Sequence, residues 1–183
     1  MKSKFLAGAL TLWMVLMVGM TLAFADAVQA DSGVILFMEG ARAIVLADAK
    51  ISETDAFFTK LNLDHDNRRE EYEVDFIAEG KEYEYEIDVV SGDILEFSVD
   101  RLDGRESKAD FRTFLTLDQA AEKALAEAKF AAADVKMVKM EFDFDDGRAE
   151  HEIEFEVNNE SHRYKLDAKS GEVLSYRKGR VSR

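Results

Sequence analysis

Tyr85-Glu86-Ile87-Asp88-Val89-Val90-Ser91-Gly92-Asp93-Ile94-Leu95 and, 79 residues later, Tyr164-Lys165-Leu166-Asp167-Ala168-Lys169-Ser170-Gly171-Glu172-Val173-Leu174 carry one pattern. Each has an alternating strand, a Ser-Gly turn and the start of a second apolar strand. The same offset, without a gap, lays Ala41–Ile51 on Ala120–Phe130 and Tyr72–Phe76 on His151–Phe155. A match of this length makes the chain two copies of one unit. The copies run over residues 32–100 and 113–178. Between them, residues 101–112 form a charged linker with Gly104 and little apolar content, and residues 179–183 form a basic tail.

Working outward from that turn gives the rest of the unit. In copy two, Leu117, Ala120, Ala121, Ala124, Leu125 and Ala128 fall on one helical face, and Thr116 with Gln119 predicts a capping box. Met38, Ala41, Val45, Leu46 and Ala49 give copy one the same stripe, with a start near Asp31 or Ser32. The period then changes from 3.6 to 2. Val138, Met140, Phe142 and Phe144 alternate with charged residues, Asp145-Asp146-Gly147 supplies a hairpin turn, and Ala149 to Val157 returns. Third and fourth strands follow at His162–Ala168 and Val173–Arg177. In copy one the strands are Phe57–Asp64, Tyr72–Ala78, Glu82–Val89 and Ile94–Val99. The predicted fold class is α+β: two tandem units, each one helix packed on a four-stranded antiparallel meander sheet.

Composition bounds the function. The chain of 183 residues has 24 Lys+Arg against 38 Asp+Glu, a net charge of −14, which argues against nucleic acid as a partner. Having no Cys excludes thiol catalysis, disulfides, Cys-ligated zinc and iron–sulfur clusters. Residues 1–25 differ from the remainder: Lys2 and Lys4 precede an uncharged run from Phe5 to Ala25 that closes in Ala23-Phe24-Ala25. This is the order of a secretory signal peptide, with cleavage expected after Ala25. Cleavage removes both lysines, takes the net charge to −16 and removes Trp13, the single Trp. The reading places the product outside the cytoplasm, as a periplasmic, cell-envelope or secreted protein. It touches a membrane only if the segment is retained as an anchor.

The helix Gln119–Ala126, two Glu-rich strands and then Tyr-x-x-Asp-x-x-Ser-Gly followed by Glu or Asp resemble the PepSY domain, twice over. Copy two carries the motif as Tyr164, Asp167, Ser170, Gly171, Glu172 and Val173. Copy one keeps Tyr85, Asp88, Ser91, Gly92 and Ile94. The resemblance implies a structural motif without a catalytic residue. It also implies the role known for propeptides of secreted thermolysin-type metallopeptidases and related extracytoplasmic proteins, the inhibition or regulation of a peptidase. No peptidase domain follows in this chain, so action in trans on a separate protein is expected.

Other chemistry is weaker. His151-Glu152 lacks the second His of a zincin, since Phe155 stands there. His65, His151 and His162 occupy inward positions of strands and are expected to replace core aromatics, with no metal and no cofactor. Asp143, Asp145, Asp146 and Gly147, with Asp64 and Asp66 at matching places, read as hairpin turns rather than a calcium loop. Ser91 and Ser170 precede turn glycines with no nucleophile elbow around them. Asn159-Glu160-Ser161 is a glycosylation sequon by pattern alone.

The candidate partner-binding residues are Glu71, Glu73 and Asp75 on one strand and Glu82, Glu84, Glu86 and Asp88 on the next, all on one sheet face. Carboxylates across a strand pair repel, at a cost in stability. In copy two, Arg163 and Lys165 replace Glu84 and Glu86, so that copy can pair its charges. The expected function is a non-enzymatic inhibitor or regulator of an extracytoplasmic peptidase. The alternatives are an envelope protein whose acidic face takes a basic partner or divalent cations, and a cryptic enzyme. The basic residues Arg177, Lys178, Arg180 and Arg183 are read as a frayed terminus or as a contact for a membrane or for copy one's acidic face.

Overall fold

The computed structural model describes residues 38–66, 69–104, 106–145 and 147–181. The expected signal segment and an earlier helix start near Asp31 lie outside the described residues. No described helix is long and apolar enough to cross a membrane. The elements are α1 (Met38–Ala49), β1 (Phe57–Asp66), β2 (Arg69–Ala78), β3 (Lys81–Asp88) and β4 (Ile94–Arg101), then α2 (Leu117–Ala128), β5 (Lys136–Asp145), β6 (Arg148–Val157), β7 (Glu160–Asp167) and β8 (Val173–Arg180).

The strands form one antiparallel sheet in the order β4-β3-β2-β1-β5-β6-β7-β8. This corrects the expectation of two separate four-stranded sheets. The halves join where Lys60, Leu61 and Asn62 of β1 face Glu141, Met140 and Lys139 of β5. Leu61 and Met140 stand 79 residues apart, so the junction runs through a local two-fold axis that exchanges equivalent positions. The bulges obey the same offset: the register shifts between Phe58 and Lys60 and between Met137 and Lys139, and again between Glu86 and Ile87 and between Lys165 and Leu166.

One hydrophobic core spans both halves, from Met38, Ala41 and Val45 through Leu61 and Phe76 to Leu117, Ala124, Met140 and Phe155. It lies on the face covered by the two helices. Alternation sends every second residue to that face and its neighbours to the other. Helix α2 begins as its sequence predicts: the Thr116 hydroxyl accepts from the Gln119 amide N–H (3.3 Å), and Gln119 Oε1 accepts from the Thr116 N–H (3.0 Å). The helices are tied together by Arg42, whose Nη1 donates to both carboxylate oxygens of Asp118 at 3.0 and 2.9 Å while its guanidinium lies 4.5 Å from the centre of the Phe58 ring.

The linker is more apolar in effect than its composition suggests. Leu102 N–H bonds to Gly80 C=O, and the chain then makes short 3-10 turns at Glu106–Lys108 and Phe111–Thr113. Phe111 packs on Phe57 and Phe142, and Phe114 on Phe142 and Phe144, so the segment straps the two halves. The fourth strand holds Arg177 as expected and runs on to Arg180, so Lys178 and Arg180 are paired with β7 and are not part of a frayed terminus.

The Ser-Gly turn explains the motif that opened the reading. Asp167 Oδ1 accepts from Lys169 N–H, Ser170 N–H and Ser170 Oγ, and Asp88 Oδ1 accepts from Val90 and Ser91 N–H. These bonds to the charged form hold both carboxyls below the usual carboxylate range, with the Ser170 and Ser91 backbones foremost. Gly171 has φ +71°, and a Cβ there would stand 2.0 Å from Lys123 Cδ and 3.0 Å from Leu115 Cδ1. Gly171 therefore lets the turn lie against α2. Tyr85 completes copy one's motif by donating from its hydroxyl to Asp48 Oδ2 of α1 (3.0 Å). Burial first, and then this carboxylate, push its phenol up to about 12.

Candidate functional site

The face opposite the helices is polar across the sheet. Its acidic half is set by the β2–β3 register, which puts Glu71 opposite Asp88, Glu73 opposite Glu86 and Asp75 opposite Glu84. On the next strand Glu86 faces Glu96, Glu84 faces Ser98 and Glu82 faces Asp100. Six of the seven proposed residues thus share one surface in the order expected. The seventh, Asp88, lies at its end with Oδ1 taken by the turn and Oδ2 3.7 Å from Arg69 Nε.

Sequence reasoning missed the cation at the centre. Lys60 on β1 lies beside Asp75 in register and its Nζ is 2.9 Å from Glu73 Oε2, while Asn62 Nδ2 donates to the same oxygen at 2.7 Å. Alternation about Leu61 places both side chains outward, but only the strand pairing brings them to Glu73. Burial works against the Glu73 carboxylate, yet the Asn62 and Lys60 bonds prevail and hold it below its ordinary value. The Lys60 ammonium is likewise disfavoured by burial, and is raised on balance by Glu73, Asp75 and Glu141.

Asp75 has the opposite fate. Burial, reinforced by the charges of Glu84, Glu82 and Glu73 against the pull of Lys60, pushes it up to about 7. Glu71 and Glu82 are also raised, first by burial and then by Glu86 and Glu84 respectively. Glu84 accepts from Ser98 Oγ (2.9 Å). Among the described residues, none of Glu82, Glu84 and Glu86 has a basic group within ion-pair distance. A shallow depression of about 190 Å³ opens here between Lys60, Glu73, Asp75, Glu84, Glu86 and Glu96.

The other half pairs its charges. Lys139 reaches Glu141 and Glu152 at 2.5 and 3.2 Å, Arg163 reaches Glu154 at 2.6 Å and Glu152 at 3.6 Å, and Lys165 reaches Glu150 at 3.7 Å. The contrast read from Arg163 and Lys165 is present, softened in the first half by Lys60.

The histidines divide. His151 is fully buried, its Nε2 3.0 Å from Leu115 C=O, and burial pushes its pKa down. His162 is buried, stacked on Phe155 (5.2 Å, 7°) with Nδ1 3.1 Å from the Tyr176 hydroxyl, and burial lowers it too. His65 corrects the expectation: it is exposed near the end of β1, with Nδ1 3.0 Å from Glu70, while Leu61 and Leu63 of the same strand are buried. Asp64 and Asp143 accept from the next backbone N–H (2.9 and 2.6 Å), and Asp145 pairs with Arg148 at the end of the β5–β6 ladder. Asp146 lies outside the described residues. Asn158 and Asn159, both at positive φ, make the β6–β7 turn, which is the structural use of the sequon's asparagine. Among the described residues no group of three or more His, Asp or Glu side chains is arranged to hold a metal ion.

The fold, the Ser-Gly turns and the two helices bring the comparisons into focus. The family model described as "Peptidase propeptide and YPEB domain", PepSY, matches residues 36–97 and again 115–177. The chain belongs to the PepSY family. The uncharacterised protein Spy1430 of Streptococcus pyogenes serotype M6 is 35% identical over 70 residues, 38% of this chain and 54% of that protein, so the chain spans about half the length of the curated relative it matches. Among solved structures, a protein of Clostridium difficile 630 described as a candidate lipoprotein is 26% identical over 79% of this chain and 93% of its own, with a TM-score of 0.43. The YpeB C-terminal domain of Bacillus megaterium is 11% identical over 86% of this PepSY chain and 70% of its own, with a TM-score of 0.35.

Proposed function

We propose that this PepSY protein is a non-enzymatic binding module that regulates an extracytoplasmic peptidase in trans, engaging it through the acidic half of its open sheet face. The observation that carries the reading is the row of Glu82, Glu84 and Glu86, flanked by Glu71, Glu73 and Asp75, on a surface that the helices leave uncovered. Like charges in cross-strand register weaken a sheet. A basic partner surface relieves that repulsion on binding, so the cost held in the free protein becomes affinity in the complex. The family description names peptidase propeptides, which supports a peptidase as the class of partner. The charged-then-apolar order of residues 1–25 supplies the compartment.

The test is a titration of the protein into thermolysin-type and unrelated secreted peptidases, following peptide hydrolysis and checking by mass that the titrant stays intact. Saturable inhibition or activation confined to one peptidase class, lost in Glu84→Lys/Glu86→Lys, supports the reading. Binding that survives the double change sinks the assignment of the face. The second reading, an envelope protein for another basic partner, uses the same residues. It is favoured if peptidases are unaffected while a basic protein binds in a salt-sensitive manner.

A further inference from the structure

The two edges of the sheet differ in charge and match in shape. On β4 the exposed residues include Glu96, Phe97, Val99 and Asp100; on β8 they include Val173, Tyr176, Arg177, Lys178 and Arg180. Four of the five large apolar side chains exposed among the described residues lie on these two strands, with Phe97 59% and Tyr176 46% exposed. Each ends an aromatic ladder. Phe76, Tyr85 and Phe97 stack at 6.2 and 5.8 Å, and Phe155, Tyr164 and Tyr176 at 6.0 and 4.6 Å, so the last ring of each row faces outward with no strand beyond it among the described residues.

We propose that the chain associates with further copies of itself head to tail, the β4 edge of one copy pairing antiparallel with the β8 edge of the next. The internal β1–β5 junction provides the template, because it already joins equivalent strands of the two halves antiparallel about one equivalent pair, Leu61 opposite Met140. Applied to the outer edges, that register sets Phe97 opposite Tyr176 of the next copy on the helix face and Glu96 opposite Arg177 on the open face. Both pairs are of the kind that stabilises a sheet. Charge selects this arrangement over the symmetric ones: β8 against β8 gathers six cations, and β4 against β4 gathers Glu96 and Asp100 of both copies, with Arg101 at the strand end their single cation. The basic residues of β8 therefore guard it against itself while leaving it open to an acidic edge. Since the two surfaces differ, the contact is heterologous and does not stop at a dimer.

Sedimentation velocity of the full chain over a concentration series tests this. The expected result is growth through dimers to larger species without a ceiling, diminished by added salt. Glu96→Arg and Arg177→Glu, both at exposed positions and opposite one another in this register, should each weaken the contact about tenfold. Mixing the two variants should restore association, since the reversed β8 of one now meets the reversed β4 of the other. Far-UV circular dichroism verifies that both variants are folded. A chain that stays monomeric at low salt and high concentration, a ceiling at the dimer, association indifferent to both reversals, or a mixture that stays apart overturns the proposal.

Discussion

Replacing Asp75 by Asn should stabilise the protein, and by an amount that depends on pH in a defined direction. The Asp75 carboxyl is pushed from its ordinary value of 3.8 to about 7 in the folded chain, by burial and by Glu84, Glu82 and Glu73. A group whose folded pKa is raised holds its proton in the native state after the unfolded chain has released it. Stability is therefore lost as pH rises from about 4 to about 7, and the loss is complete above that. Three pKa units correspond to about 4 kcal/mol, and solvent screening of a part-buried carboxylate brings the working figure to about 2 kcal/mol. Asn has the shape of the protonated acid and cannot ionise. Urea unfolding of both proteins across this range should show a difference near zero at pH 4 that grows to about 2 kcal/mol in favour of Asp75→Asn at pH 8. Taking the difference cancels groups that titrate alike in both. A difference independent of pH, or a variant less stable at pH 8, refutes the reasoning.

Three further outcomes follow from the core and the turns. Gly171→Ala and Gly80→Ala both place a Cβ at a positive φ and should each cost about 1 kcal/mol, since the Lys123 chain that meets the new Cβ at 171 is free to swing aside while nothing lies within 4 Å at 80; parallel urea curves decide. His151 is held neutral by burial, so its folded pKa lies below that of the unfolded chain and the stability it gives is present above pH 6.5 and falls as pH drops below. His151→Phe should flatten that acid limb in thermal melts between pH 7 and 5. Phe111→Ala removes a half-buried ring packed on Phe57 and Phe142, and should cost about 2 kcal/mol and make residues 101–112 the first site of limited proteolysis.

Much of this fold is written in local patterns, because local patterns fix local structure. The stripe from Leu117 to Ala128, the Thr116–Gln119 cap, and the alternation of Met140 and Phe142 with charged neighbours each act within one element. What escaped involves strands distant in sequence. Alternation says that Leu61 and Met140 face inward but not that their strands pair edge to edge, so a single sheet was read as two. It gives His65 a face but not a cover. Charge dominated the reading of residues 101–112, although Phe111, with Phe114 just beyond the segment, decides what it does. The acidic row was legible because it needs only face and number. Lys60, its counter-charge, was not, since its contact with Glu73 depends on register across β1 and β2.

The two halves also allow the cost of the acidic row to be tested by exchange. Their inner faces are alike, with Tyr85 and Tyr164, Ile87 and Leu166, and Phe76 and Phe155 at equivalent places, so the inner positions serve the fold in both. On the open face, Glu84 and Glu86 stand where Arg163 and Lys165 stand in the second half, and the fold accommodates either. Grafting the second half's residues as Glu84→Arg/Glu86→Lys sets cations opposite Asp75 and Glu73, as Arg163 and Lys165 lie opposite Glu154 and Glu152. Each new pair contributes up to about 1 kcal/mol at a surface, and removing repulsion adds a similar amount. The graft should therefore raise stability by about 1–2 kcal/mol at pH 8 and bring the Asp75 titration, followed by NMR, downward. It should also abolish binding of the basic partner. If the graft stabilises the protein and binding persists, the acidic row is a solvated surface and the recognition residues lie elsewhere. If it destabilises the protein, the repulsion inferred from the register is not felt, and the argument that links strain on this face to affinity fails with it.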